Sequence, residues 1–171
     1  MFANLLAAAM DEATSPSAHP AFVEILKQLT PDEARILALL NRHQQLPIAT
    51  VTAIPGGDPS RTIVLLRNFS LIGWDAGCKH LQLVPSYLDN ICRLGLAEVL
   101  HSPLAGYDWA YVTIEQRPEV WQSGVNASRQ WGVGHQVHRH RISVTDFGEE
   151  FCATCVVTPR TIQMWTERRD A

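Results

Sequence analysis

The densest set of side chains that could do chemistry is His135, His138 and His140, interleaved with Arg139 and Arg141. Cys152-Ala153-Thr154-Cys155 follows shortly after. Imidazoles and a C-x-x-C pair are donors that zinc takes in tetrahedral sites. The local pattern argues against that use here. His138 and His140 would share one face of a strand, and Ile142 and Val144 would carry that face into a core. Cys155 falls on the apolar stripe of Phe151, one helical turn away. The expectation is a pair of core thiols beside a positively charged strand, with His138, His140, Cys152 and Cys155 as the zinc alternative and no cofactor. The strand itself could meet an acidic partner or a nucleic-acid backbone. Charges on a strand also keep an edge from pairing with other chains.

Nucleophilic catalysis finds little to work with. Cys78 lies two residues from His80, but a working nucleophile and base need a third group to orient them, and no such residue is evident. The sequence contains no G-x-S-x-G elbow, Walker loop, H-E-x-x-H pair or G-x-G-x-x-G turn. Gly56-Gly57-Asp58 lacks a following lysine and reads as a turn.

Composition narrows the class further. The chain has 171 residues, 46% of them hydrophobic and 18% charged, which is enough to bury a proper core. The formal net charge of −3 disfavours a dedicated nucleic-acid binder. The apolar run from Phe2 to Met10 lacks a basic leader and is too short to span a bilayer. With no export signal in view, the four cysteines are expected to be free thiols in a reducing cytoplasm.

These residues need elements to position them. His19 to Leu40 reads as two amphipathic helices, over about 20–29 and 31–43. Phe22, Val23, Ile25, Leu26 and Leu29 mark the buried face of the first. Thr30-Pro31-Asp32-Glu33 spells a capping box with proline at the first helical position. Leu46–Ile54 and Thr62–Asn68 read as strands joined by the Pro55–Ser60 turn. Pro85–Leu94 reads as a helix ended by Gly95, with Asp89 and Arg93 as a solvent-side ion pair. Leu96–Leu100 reads as a strand. The alternation of Tyr107, Trp109 and Tyr111 with Asp108, Ala110 and Val112 predicts a returning strand. Residues 115–136 read as a long polar connection. Within it Trp121 and Trp131 are candidates for an interaction surface. Val137–Val144 is a strand, and Thr145 caps a last helix whose buried face is Phe147, Phe151 and Cys155.

Three pieces together carry a resemblance. They are ANLLAAAMD (3–11) with HPAFVEILKQLTPDEARIL (19–37), YLDNICRLGL (87–96) and ISVTDFGEEFCATC (142–155). In this order they resemble the Abi-alpha family of bacterial abortive-infection proteins, over about residues 3 to 156. The resemblance implies a link to phage defence and carries no catalytic residue. Family members have further helical sequence ahead of ANLLAAAMD. The expectation is therefore a chain shortened at its start, or one whose first helix is covered by a partner.

The order helix, glycine, strand, aromatic arm, strand, helix also fits a winged helix, in which the helix before the glycine enters the major groove. Its outward residues would be Ser86, Asp89, Asn90 and Arg93, a poor surface for phosphates. The expected protein is thus α+β. A helical part (1–43) packs on a winged-helix-like part with a small antiparallel sheet (44–158), the two forming one domain, and a tail covers 159–171. It is expected to be a non-enzymatic interaction or regulatory component with a protein partner or a second copy of itself. Phe2, Leu5, Leu6, Trp121 and Trp131 would form the contact surface. The alternatives are a DNA-binding regulator using Asn90, Arg93, His138, Arg139, His140 and Arg141, and a zinc- or thiol-dependent enzyme.

Overall fold

The computed structural model describes residues 19–156. Its first two elements are the expected helix pair, α1 (Ala21–Lys27) and α2 (Pro31–His43). The capping box is formed in full: Thr30 Oγ1 accepts from the Glu33 N–H, and Glu33 Oε2 accepts from the Thr30 N–H. Such a box satisfies two donors that the first helical turn would otherwise leave without partners. Phe22, Ile25, Leu26, Ile36, Leu37 and Leu40 are buried. Val23, expected on the inner face, is instead 41% exposed.

Four strands form one antiparallel sheet in the order β2-β1-β4-β3. They are β1 (Gln45–Ala53), β2 (Ile63–Phe69), β3 (Ala97–Leu100) and β4 (His135–Val144). β1 and β2 make the expected hairpin, with bulges near Ala49 and Val51. Pro47 is tolerated in β1 because the pairing with β2 begins only at Ala49. At Pro47 the strand is still an edge, where a missing N–H costs no ladder bond.

Between β2 and β3 the chain makes a single helical turn, α3 (Ile72–Asp75), and then α4 (Val84–Arg93). Gly95 follows with φ 75°, the left-handed conformation that ends a helix at least cost in glycine. After β4, Thr145 caps α7 (Asp146–Phe151) by accepting from the Gly148 N–H. The chain runs on from there as a π-turn over Cys152–Val156.

Two segments differ from their sequence reading. The arm expected as a strand at 107–114 is a helix, α5 (Asp108–Glu115). The expected loop at 115–136 contains α6 (Pro118–Trp131), closed by Gly132 in the left-handed conformation. The helix–glycine–strand half of a winged-helix order is therefore present as α4, Gly95 and β3, but the aromatic wing arm is not.

These two helices cover the second face of the sheet. On the first face Ile48 and Ile142 join Phe22, Leu37, Leu88, Ile91 and Phe151 in the main core. On the second face Ala49 packs with Tyr111 and Ile114 of α5, backed by Phe69, Leu71 and Val137. α6 turns Val120, Gly124 and Ala127 inward.

Gly148 and Gly124 make close contacts of opposite kinds. A Cβ built on Gly148 would lie 2.0 Å from the Leu96 carbonyl oxygen, which is backbone. One on Gly124 would lie 2.1 Å from His135 Nδ1, in an exposed side chain that can rotate away. Gly148→Ala should therefore cost about 2–3 kcal/mol, at the upper end for overpacking, and Gly124→Ala well under half of that. Urea unfolding of the two variants checks the order, and equal losses would contradict it.

Candidate interaction surface

The sheet pairing decides which candidate residues meet. Side chains alternate across a strand, so the histidine and arginine run of β4 splits between two faces. Arg139 and Arg141 point toward α5 and the loop before it. The Arg139 guanidinium binds Glu115 through Nε at 2.7 Å and Nη2 at 3.1 Å, reaches Asp108 at 3.0 Å, and lies over the Tyr111 ring. Arg141 donates to Ser102 Oγ and the Pro103 carbonyl. Both cations thus have partners within the fold while remaining partly exposed.

His138 and His140 lie on the opposite face. Their rings are stacked at 6.4 Å, and His138 Nε2 is 2.8 Å from Thr52 Oγ1. They are joined by His101, which follows β3 and sets its ring edge-on to His140 at 4.8 Å. The sequence reading missed His101. Nothing local in the sequence marks it, because the contact depends on the pairing of β3 with β4, which runs up to Leu100 and Arg141. Burial, with the neighbouring His101 and His138, pushes the His140 imidazole below its ordinary value. His140 Nδ1 is buried without a partner. His135, the third member of the sequence cluster, lies apart on Gly124 of α6.

The thiols are elsewhere. Cys152 and Cys155 belong to the main core, with Cys152 Sγ directed at the Leu37 carbonyl at 3.9 Å. Burial pushes Cys152 up to about 12 and Cys92 and Cys155 up to about 11. Burial raises Cys78 as well, helped by the nearby Asp32 carboxylate. Among the described residues no group of three or more His, Cys, Asp or Glu could hold a metal ion, so His138, His140, Cys152 and Cys155 do not form the zinc set.

Three of the groove-facing residues of α4, Asp89, Asn90 and Arg93, have partners within the fold. Asn90 Nδ2 donates to Glu33 Oε1 at 2.7 Å and to the Gln28 carbonyl at 3.1 Å. Arg93 turns to Asn90 Oδ1 and Gln28 Oε1. The expected Asp89–Arg93 ion pair does not form, because Asp89 accepts from Asn68 instead. These residues hold α4 to the α1–α2 corner.

Exposed aromatic surface lies on α3, α5 and α6. Trp109 is 68% exposed and Trp121 63%, with Trp74, Tyr107 and Val112 around 40%. Trp131 is half-buried beside Arg61 and Ile63. The rings of Tyr107 and Trp109 lie 6.1 Å apart at the mouth of a pocket of about 330 Å3. Leu39 and Leu46 form one wall of that pocket, Leu71 and Ile72 a second, and Ala110 and Ile114 the third. His43, Asp75 and Tyr107 are its titratable lining residues. Phe2, Leu5 and Leu6, the other expected contact residues, lie outside the described residues. No helix among the described residues is long and apolar enough to cross a membrane.

The family model for abortive infection alpha matches residues 1–155. The chain belongs to the abortive infection alpha family. That membership links it to abortive infection in bacteria. No curated protein matches the chain. A solved structure of an uncharacterized protein from the hydrocarbon-degrading marine bacterium Alcanivorax borkumensis SK2 is similar, at 22% identity and a TM-score of 0.54. The match covers 80% of this chain and 92% of that one, and it shows a shared fold.

Two measurements follow for this member of the family. The His140 imidazole titrates below its ordinary 6.5, so its neutral form is favoured in the folded state. Its contribution to stability is complete above pH 6.5 and is lost as pH falls from there through the lowered folded value. A series of urea midpoints should therefore fall with pH over that window in the wild type and fall less in His140→Gln; parallel curves would contradict this. Under native conditions at neutral pH, the buried Cys152 and Cys155 thiols should react with a disulfide reagent only as fast as the fold opens, since burial both covers them and holds them above the ordinary thiol value. A thiol that reacts within seconds would reopen the thiol-enzyme alternative.

Proposed function

We propose that this protein is a non-enzymatic interaction component of abortive infection, binding a protein partner through the aromatic surface of α3, α5 and α6. The observation that carries this is the exposure of Trp109 at the mouth of a formed pocket, with Trp121 exposed on the next helix. Neither side chain is needed by the core: α5 already buries Ala110, Tyr111 and Ile114, and α6 already buries Val120, Gly124 and Ala127. Exposed aromatic surface that the fold does not require is a usual mark of a contact site. An enzymatic reading has less support: among the described residues no carboxylate bonds to His101, His138 or His140, and Cys152 and Cys155 are buried.

The test is a phage challenge of bacteria expressing the full chain, scored by plating efficiency over a panel of phages. Trp109→Ala with Trp121→Ala should abolish protection, while stability changes by no more than about 0.5 kcal/mol each, the range for surface substitutions. Full protection by the double variant overturns the reading. So does loss of protection confined to the triple change His101→Gln, His138→Gln and His140→Gln, which would place function on the histidine face.

A further inference from the structure

The partner's chemistry can be narrowed by the pocket, resting on the interaction reading above. We infer that the pocket between α2, α3 and α5 seats a basic peptide segment of a partner protein. One large apolar side chain of that segment enters the pocket, and a flanking lysine or arginine meets Asp75 and Asp108.

Size and lining set the anchor. A volume of about 330 Å3 lies at the low end of the roughly 300–1,000 Å3 typical of ligand pockets, which suits a single side-chain anchor. The walls are aliphatic, with Tyr107 and Trp109 as an exposed aromatic lip. The apolar surface continues past the mouth to Val112, on the α5 helix that also carries Trp109. A peptide backbone crossing the lip can use that surface, whereas a small molecule held in the pocket alone cannot reach it.

Charge sets the flanks. The cations near this face are engaged. Arg117 is bound to Glu119 and lies over the Trp74 ring at 4.7 Å, and Arg139 is held by Glu115 and Asp108. Asp75, in contrast, is exposed and has no ion pair among the described residues, and the Asp108 side chain remains 86% exposed beside its arginine. The carboxylate of Asp75 is therefore the unpaired acidic group on the pocket lining. That charge repels nucleic-acid phosphates and acidic peptides and favours a basic segment. A second copy would bring the same acidic rim and the same net charge of −3 to the contact.

The experiment is a titration of the 15N-labelled full chain, followed by 1H–15N spectra. The probes are the capped peptide acetyl-Lys-Lys-Leu-Trp-Lys-Lys-amide and its charge-reversed counterpart with glutamates in place of the lysines. The basic peptide should shift resonances of residues 39–47, 71–75 and 107–114, and binding should tighten at low salt. Asp75→Asn, at an exposed position that can change without disturbing the core, should weaken binding about threefold, the size of an exposed charge pair. Equal or stronger binding of the acidic peptide, shifts elsewhere, no shifts at all, or an unchanged affinity in Asp75→Asn would each overturn the inference. Shifts at these residues that grow with protein concentration alone would overturn it in favour of a second copy. Should the phage assay depend on Trp109 and Trp121 while neither peptide binds, this inference falls and the interaction reading stands. Binding of the basic peptide without such dependence gives the reverse.

Discussion

The fold turns on the first turn of α2, where Asp32 and Glu33 are 3% and 2% exposed. Two buried carboxylates are costly unless fully hydrogen-bonded. Glu33 divides its oxygens between the Thr30 N–H, which closes the cap, and Asn90, which brings in α4. Asp32 Oδ2 accepts the backbone N–H groups of Lys79 and His80, each at 3.0 Å, and its other oxygen meets Arg35. Burial alone would raise the Asp32 carboxyl, but these donors outweigh it and hold the group below the ordinary carboxylate range. The helix N-terminus adds favourable potential to both. One four-residue phrase thus fixes the start of a helix, the chain after α3, and the helix that leads into β3.

This network also takes in Asn90 and Arg93, two of the residues that the DNA-binding alternative names. Asn90 and Arg93 read from the sequence as outward-facing polar side chains on an amphipathic helix. That reading of α4 was right about the apolar face, with Tyr87, Leu88 and Ile91 all buried. The polar face, however, was not empty. The α1–α2 corner presents the Gln28 carbonyl, Gln28 Oε1 and Glu33 Oε1, and the α4 side chains satisfy them. Periodicity tells which side of a helix is apolar. It does not tell whether the other side meets water or a second polar element.

The legible parts of the chain were those in which one pattern fitted one structure. The capping box, the β1–β2 hairpin, Gly95 and the Thr145 cap each rest on local chemistry that the neighbours reinforce. The segment 107–114 misled because two periods fit it. Tyr107, Trp109 and Tyr111 alternate as in a strand, while Ala110, Tyr111 and Ile114 have helical spacing and are the residues actually buried. The false alternation comes from Trp109, a large apolar residue on the solvent side. Residues 115–136 misled through Gly124, which reads as a loop residue but lies in α6 against the His135 ring.

The misreading at α5 and the proposed contact surface have one cause. A helix whose outer face served solubility alone would carry polar residues where α5 carries Trp109 and Val112. With them polar, the period would have been unambiguous. Sequence patterns are expected to conflict with the local fold where a residue answers to something other than the fold. The same holds for α6, whose first turn exposes Trp121 directly after the buried Val120. Such surface adds nothing to the core and raises the risk of aggregation. Its presence on two successive helices, the first of which borders a pocket, is a feature that the demands of folding do not account for.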